Sequence, residues 1–124
     1  MKYQTHNDVI SVRWNEWDGT HLQGYAKTTY DALVTAFGKP TIADEFKIDW
    51  EWLIKFDDGT VATVYNWKNG PNYCGPSGKK ASQITQWHIG GKDDRVLTLV
   101  GEVLSCPTQS NEEYMAEWRK NNGY

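Results

Sequence analysis

The stretch that decides the fold is Trp-Glu-Trp-Leu-Ile-Lys-Phe-Asp-Asp-Gly-Thr-Val-Ala-Thr-Val-Tyr-Asn-Trp, at residues 50–67. Its Asp58-Gly59 pair predicts a two-residue type I′ turn, because both central positions of that turn need a positive φ. The apolar runs on either side then predict the two strands of a β-hairpin. In this hairpin, Asp57 pairs with Thr60 across the turn.

The predicted register gives the hairpin one strongly aromatic face. It pairs Phe56 with Val61, Ile54 with Thr63, Trp52 with Tyr65, and Trp50 with Trp67. Side chains alternate between faces along a strand, so these eight share one face. The opposite face is mixed and carries Glu51, Leu53, Lys55, Ala62, Val64 and Asn66. We expect helices to pack on the middle of the aromatic face, and any binding site to lie at the hairpin's open end.

Three helices are predicted outside the hairpin. The first covers residues 28–37, where Thr28 begins a capping-box-like turn and apolar residues recur at helical spacing. The second covers about residues 94–105 and carries an apolar stripe. The third is short and begins at the capping box formed by Ser110 and Glu113.

Further strands are predicted from short runs of apolar residues. They cover residues 9–14, 21–25 and 84–89, and the first two are joined through an Asp-Gly turn at residues 15–20. Gly24 interrupts the second of these strands, which predicts a bulge or a close approach of another backbone.

Two segments predict irregular structure. Residues 41–49 are interpreted as a linker, and residues 68–82 hold three Gly and two Pro, which argues against helix or strand. The whole pattern indicates a single α+β domain: a small antiparallel sheet built on a central hairpin, with two to three helices packed on one face. A length of 124 residues fits one domain.

Composition excludes some classes of function. The net charge is −3 and the 13 Lys and Arg are scattered, so we expect no direct DNA binding. No apolar run approaches the ~20 residues of a membrane span, and the N-terminus does not resemble a signal peptide, so we expect a cytoplasmic protein. Seven Trp and seven Tyr suit stacking pockets and interfaces as well as cores.

Motifs for catalysis or metal binding are not found. There is no GxSxG or HExxH, and His6, His21 and His88 lack the spacing of metal ligands. Cys74 and Cys106 are expected to be free thiols, with a disulfide as the alternative. The sequence therefore predicts no catalytic residues, no metal site and no cofactor, and favours a binding protein over an enzyme.

A ligand site is predicted where aromatic and polar residues meet at the open end of the hairpin. Aromatic rings stack on nucleobases, and amide and ammonium groups add hydrogen bonds and charge. Gly90-Gly91, before the second helix, is interpreted as a strand end and a turn, with a backbone anion site as the alternative that the acidic Asp93 and Asp94 disfavour. The alternatives are that these aromatics are core and rim packing, or that they form a protein interface. The predicted ligand-binding residues are Gln23, Tyr25, Tyr65, Asn66, Trp67, Lys68, Tyr73, Trp87 and His88.

Four blocks of sequence resemble a family of small proteins encoded by bacteriophages. They are Gly-Thr-His-Leu-Gln-Gly-Tyr (19–25), Thr-Thr-Tyr-Asp-Ala-Leu-Val-Thr-Ala-Phe-Gly-Lys-Pro (28–40), Glu-Trp-Leu-Ile-Lys-Phe-Asp-Asp-Gly-Thr-Val-Ala-Thr-Val-Tyr-Asn-Trp-Lys (51–68) and Trp-His-Ile-Gly-Gly (87–91). The resemblance covers about residues 19–104. It implies a phage accessory or anti-defence protein, which would act in the host cytoplasm.

This resemblance and the aromatic site lead to one principal hypothesis with alternatives. The hypothesis is a non-catalytic anti-defence protein that sequesters a nucleotide-type immune signal in an aromatic pocket, with a homodimer as one arrangement. The first alternative is a protein–protein inhibitor of a host defence complex, of the anti-CRISPR type. The second is an enzyme acting on a cyclic nucleotide, and a third is a structural or regulatory phage protein.

Overall fold

The structure is a computed structural model that describes residues 1–7, 16–45 and 47–123. Within these ranges the strands are β1 (Tyr3–Thr5), β2 (His21–Lys27), β3 (Thr41–Glu45), β4 (Ile48–Phe56), β5 (Val61–Tyr65), β6 (Gln86–Gly91) and β7 (Thr108–Ser110). The helices are α1 (Tyr30–Phe37), α2 (Pro71–Cys74), α3 (Arg95–Leu104) and α4 (Asn111–Asn121), with 3₁₀ turns at Gly75–Ser77 and Ala81–Gln83. The strand predicted at residues 9–14 lies outside the described residues.

All described strands join one antiparallel sheet, in the order β1-β4-β5-β6-β2-β7. β3 also pairs with β4, so β3 and β1 follow one another along the same edge of that strand. Helices α1 and α3 pack on one face of the sheet, and α4 contacts β2. The architecture is therefore α+β, as the sequence predicts.

The central hairpin forms, but its register differs from the prediction by one residue. The loop has three residues, because the N–H of Phe56 donates to the carbonyl of Thr60 at 2.8 Å and the N–H of Gly59 donates to the carbonyl of Phe56 at 2.9 Å. Gly59 has φ 89°, the left-handed position typical of three-residue hairpin loops. The observed Cα pairs are Lys55–Val61, Ile54–Ala62, Leu53–Thr63, Trp52–Val64 and Glu51–Tyr65.

A shift of one residue moves every β5 side chain to the other face of the sheet. The predicted faces are correct for β4 and wrong for β5. Ala62 and Val64 pack with Trp52 on the helix-covered face, and all three are fully buried. The opposite face, called here the open face, carries Glu51, Leu53 and Lys55 from β4 and Val61, Thr63 and Tyr65 from β5.

The core lies between the helix-covered face and helices α1 and α3. Its largest fully buried side chains are Trp52, Trp87, Phe37, Phe56 and Leu33. The N-cap of helix α1 is Thr29, one residue later than the predicted Thr28. The hydroxyl of Thr29 accepts from the N–H of Ala32 at 3.2 Å, while the N–H of Thr28 donates to the carbonyl of Thr85 at 3.1 Å. Thr28 is therefore tied to the chain before β6 and does not cap the helix.

Several boundaries differ from the predictions. The predicted linker at residues 41–49 instead contains β3 (Thr41–Glu45) and, from Ile48, the start of β4. The segment 68–82 contains α2 and two 3₁₀ turns, which are short enough to accommodate its Gly and Pro residues. β6 continues through Gly90 and Gly91, since both pair with β2 on one side and β5 on the other.

Two local predictions are confirmed. The register between β2 and β6 shifts between Leu22 and Gly24, as expected of a bulge. A Cβ on Gly24 would lie 2.2 Å from the carbonyl oxygen of Gln109, so β7 approaches too closely for any other residue. At α4, the hydroxyl of Ser110 accepts from the N–H of Glu113 at 3.0 Å.

Candidate functional site

A row of aromatic rings crosses the open face. Tyr65 of β5, His88 of β6 and Tyr25 of β2 are direct Cα partners on three neighbouring strands. Trp67 extends the row at one end and Tyr114 of α4 at the other. Successive ring centroids from Trp67 to Tyr114 are 6.3, 5.4, 4.9 and 4.7 Å apart. We call these five residues the aromatic row.

Two cavities open on this face, with the Tyr65–His88 pair between them. The first has a volume of about 230 Å³, and its lining includes Trp17, His21, Glu51, Thr63, Tyr65 and Trp67. The second has a volume of about 320 Å³, and its lining includes Tyr25, Asn69, Lys79, Gln86, His88 and Tyr114. We call them the Glu51 cavity and the Lys79 cavity.

His88 is held neutral at the centre of the row. Burial lowers its pKa to about 4, because desolvation disfavours the charged ring. Its Nδ1 atom is buried and has no hydrogen-bond partner among the described residues. A buried polar atom without a partner costs roughly 1–3 kcal/mol, and a ligand atom that pairs with it would offset part of that cost.

Tyr65 is held as a neutral phenol. Burial raises its pKa to about 12, with further contributions from the negative charge of Glu51 and from Tyr25. Glu51 is only 3% exposed although it lines a cavity. The site therefore places a buried carboxylate beside a phenol that keeps its proton.

Tyr25 forms the back of the Lys79 cavity. It is buried, and its hydroxyl donates to Oδ1 of Asn111 at 3.2 Å. Burial and the neighbouring Tyr114 raise the pKa of its phenol. Helix α4 thus fixes this ring, whereas Trp67, at 39% exposure, is open to solvent at the other end of the row.

Two of the predicted ligand-binding residues belong to the core. Trp87 is fully buried on the helix-covered face, with Nε1 donating to the carbonyl of Ile84 at 3.2 Å, and it lines neither the Glu51 nor the Lys79 cavity. Neighbouring residues of a strand point to opposite faces, so Trp87 and His88 cannot line one site.

Asn66 is also fully buried, and its amide is occupied. Oδ1 accepts from the N–H groups of Asp49 and Trp50 at 2.8 and 3.0 Å. Nδ2 donates to Oδ1 of Asp49 at 2.9 Å and to Oδ1 of Asn69 at 3.0 Å. An amide has two donors and one acceptor oxygen with two lone pairs, so this set leaves nothing for a ligand.

Three other predicted residues lie at the edge of the site or beyond it. Nε2 of Gln23 donates to the carbonyl of Gly91 at 3.0 Å and so stabilises the bulge in β2. Nζ of Lys68 lies 5.7 Å from the centroid of the Tyr73 ring. None of these three residues lines the Glu51 or the Lys79 cavity.

The sequence predictions missed Glu51, Trp17 and Lys79. The wrong hairpin register assigned Glu51 to the face opposite Tyr65, although a lone carboxylate between Trp50 and Trp52 was a signal in itself. Trp17 is buried, and its Nε1 donates to the carbonyl of Ala62 at 3.0 Å. Lys79 follows a Gly-rich segment, and no sequence pattern indicated its position.

Two kinds of feature are absent from the residues that the structure describes: a metal-binding cluster and a membrane-spanning helix. In those ranges, no three His, Cys, Asp or Glu side chains are grouped so that they could hold a metal ion. None of the described helices has the length and apolar character needed to cross a membrane. Comparison with protein-family models, curated proteins and solved structures found no match to this chain.

Proposed function

We propose that this chain is a phage-encoded, non-catalytic binding protein that sequesters a nucleotide-type signal of host defence in the host cytoplasm. The observation that supports this most directly is the aromatic row, which lies between two polar cavities on the sheet face opposite helices α1 and α3. Stacking of a base on an aromatic side chain contributes roughly 1–3 kcal/mol per base.

Polar groups beside the row complement the other parts of a nucleotide. Nδ1 of His88 is ready to accept or donate one hydrogen bond, depending on the tautomer. Lys79 lines the second cavity, and Nζ of Lys47 lies 5.4 Å from the centroid of the Trp67 ring. Ammonium groups in these positions suit the phosphates of a ligand whose base lies on the row.

The titration of the site favours binding over catalysis. A general base works best with a pKa near the operating pH. His88, with a pKa of about 4, is a weak base at pH 7, and Tyr65, with a pKa of about 12, remains protonated. Both groups suit hydrogen bonding to a ligand better than proton transfer.

The biological setting of the proposal rests on the four sequence blocks that resemble small phage proteins. Small phage proteins without catalytic motifs often act as accessory or anti-defence factors, and a nucleotide second messenger is a target that a small binding protein can neutralise stoichiometrically. A homodimer is one arrangement of this proposal, and native mass spectrometry measures the oligomeric state that it requires.

The test is to incubate the protein with a panel of cyclic mono- and dinucleotides, remove free ligand, denature the protein by heat and identify what is released. We expect one nucleotide to be released unchanged. Release of an altered product would instead indicate an enzyme. Failure to retain any nucleotide would contradict the proposal.

Matched tryptophan variants locate the binding site. Trp67→Ala should lower affinity at least about tenfold, because one stacking contact is lost. Trp118→Ala is the control, since Trp118 has a similar exposure of 44% and lies outside both cavities. Equal affinity of the two variants would place the ligand away from the row.

The second candidate function is inhibition of a host protein, and the surface of helix α4 supports it. Its exposed carboxylates, from Glu112, Glu113 and Glu117, lie in the same helix as the exposed Trp118, a combination that suits a basic partner surface. This function predicts that Trp118→Ala abolishes anti-defence activity in a plaque assay while Trp67→Ala retains it. The sequestration proposal predicts the reverse.

A further inference from the structure

The Lys79 cavity has a charge opposite to that of the protein as a whole. The chain has a net charge of −3, whereas Lys79 is the only lysine, arginine, aspartate or glutamate among the described residues that line this cavity. We propose that the cavity holds a singly charged phosphodiester of the ligand, an inference that rests on the nucleotide-binding function proposed above. It narrows the ligand to a cyclic nucleotide or to the internal linkage of a dinucleotide.

The backbone fixes the position of Lys79. Its N–H donates to the carbonyl of Asn69 at 2.8 Å. The residue before it, Gly78, packs so closely on Gly70 that a Cβ there would lie 2.4 Å from the carbonyl carbon. Within the described ranges Lys79 forms no salt bridge, and its side chain is exposed. Its ammonium group is therefore available to an anion in the cavity.

His88 adds a buried polar atom to the same cavity. Its ring is held between those of Tyr65 and Tyr25, with centroids 5.4 and 4.9 Å away. Nδ1 has no hydrogen-bond partner among the described residues, and His88 lines the Lys79 cavity and not the Glu51 cavity. In the tautomer with its proton on Nδ1, this atom donates to a phosphate oxygen. With a pKa of about 4 the ring stays neutral at pH 7, so it adds a hydrogen bond without a second positive charge.

Helix α4 adds negative charge near the cavity but not inside it. Oε1 of Glu113 accepts from the hydroxyl of Ser110 at 3.0 Å, and Oε2 of Glu117 accepts from Nε2 of Gln109 at 2.8 Å. These bonds hold both carboxylates beside β7, although Tyr114 of the same helix lines the cavity. Their repulsion grows with the charge of a bound anion, so it disfavours a dianion more than a monoanion.

The number of charges distinguishes two kinds of phosphate. A phosphate monoester carries about −1.5 to −2 at pH 7, because its second pKa is about 6. A phosphodiester has no second ionisable oxygen and carries −1. One lysine balances the diester, whereas a monoester would leave nearly one negative charge unbalanced close to α4. The cavity therefore suits a phosphodiester better than the terminal phosphate of a nucleoside 5′-phosphate.

The experiment compares ligands that share a base and differ in charge, by isothermal titration calorimetry at pH 8. Cyclic AMP, cyclic GMP, cyclic di-AMP and cyclic di-GMP are each compared with the linear 5′-phosphate and with the methyl ester of that phosphate. Methylation removes the additional charge without closing the ring. We expect the cyclic nucleotide and the methyl ester to bind roughly three- to tenfold more tightly than the 5′-phosphate, because one charge is no longer unbalanced.

A change of pH alters the charge of the monoester alone. Between pH 8 and pH 5 the linear 5′-phosphate takes up a proton, while its methyl ester keeps a charge of −1. Both ligands meet the same protein, so the titration of protein groups cancels in the ratio of their affinities. The preference for the methyl ester should therefore disappear at pH 5. A preference that persists there would contradict selection by charge.

Matched lysine variants locate the phosphate. Lys79→Gln should weaken binding of the cyclic nucleotide about three- to tenfold. Lys80→Gln is the control, because Lys80 is the next residue, is also exposed and lines neither cavity. Equal affinities of these two variants would contradict the assignment. Thr85→Lys adds a second positive charge at an exposed lining position and should shift the preference towards the 5′-phosphate.

Two results separate the inference from the function on which it rests. Equal or tighter binding of the 5′-phosphates than of their methyl esters at pH 8 would overturn the phosphodiester assignment and leave the sequestration proposal standing. Failure to bind any member of the nucleotide panel would overturn both.

Discussion

Glu51 and Tyr65 face each other across the central hairpin and line the same cavity. The pairing exists only because the hairpin loop has three residues, which places a carboxylate beside a phenol on the open face. The negative charge of Glu51 contributes to raising the pKa of Tyr65 to about 12. This electrostatic coupling gives the first prediction.

Removing the charge of Glu51 should lower the pKa of Tyr65. In Glu51→Gln, burial of the phenol remains but the repulsion between carboxylate and phenolate is lost, so the pKa should fall below the wild-type value of about 12. NMR titration of the ¹³Cζ resonance of Tyr65 measures it. Glu102→Gln, at an exposed position in α3, should leave the pKa of Tyr65 unchanged. An unchanged pKa in Glu51→Gln as well would show that Glu51 and Tyr65 are not coupled.

Burial of His88 should make the protein less stable in acid. Its pKa is about 4 when folded and about 6.5 when unfolded, so the unfolded state binds more protons below pH 6.5. The free energy of unfolding should therefore decrease as the pH falls from 6.5 towards 4, by roughly 2–3 kcal/mol from this group. Urea unfolding at pH 7 and 4.5 measures the difference.

The His88→Gln variant should lose that part of the pH dependence, while Trp118→Ala should keep it. An identical pH dependence in wild type and His88→Gln would show that another group is responsible.

Asn66 should be needed for folding stability and not for ligand contacts. Asn66→Ala would leave the N–H groups of Asp49 and Trp50 and the carboxylate of Asp49 without this partner. At roughly 1–3 kcal/mol for each unsatisfied buried group, we expect a loss of at least about 3 kcal/mol in the free energy of unfolding by urea. Asn69→Ala should lose far less, since it removes one partly buried bond.

The two tryptophans predicted for the site, Trp87 and Trp67, should differ in how much they contribute to stability. Trp87→Ala should lower the free energy of unfolding by about 3–5 kcal/mol, because Trp87 is fully buried in the core. Trp67→Ala should lower it by less than about 1 kcal/mol, because Trp67 is 39% exposed. Differential scanning calorimetry would contradict this interpretation if the two variants were equally destabilised.

The fold was largely predictable because its signals are local. The helical spacing of apolar residues, the Ser110–Glu113 capping box and the interruption at Gly24 each determine structure within a few residues. The register of the hairpin was not predictable from Asp57-Asp58-Gly59, since this tripeptide suits a two-residue or a three-residue loop. β3 was missed because its pairing with β4 is a tertiary contact in a segment with weak strand propensity.

The candidate site was predicted only in part, because its geometry depends on strand register and on tertiary contacts. Tyr25, Tyr65 and His88 do come together, although they lie far apart in the sequence. Glu51 was missed because one error in register assigned it to the opposite face. Trp87 was predicted to line the same site as His88. Adjacent residues of a strand point to opposite faces of the sheet, so only one of the two can do so.

The spacing of the rings in the aromatic row is set by the backbone of the sheet. Tyr65, His88 and Tyr25 stand on adjacent strands, so their separation follows the 4.7–4.9 Å distance between hydrogen-bonded strands. Inserting a flat ring between two others requires roughly 7 Å, twice the ~3.5 Å contact distance of carbon atoms. Neighbouring rings here are at most 6.3 Å apart. A planar ligand bound at the aromatic row would therefore lie across its rings and not between them.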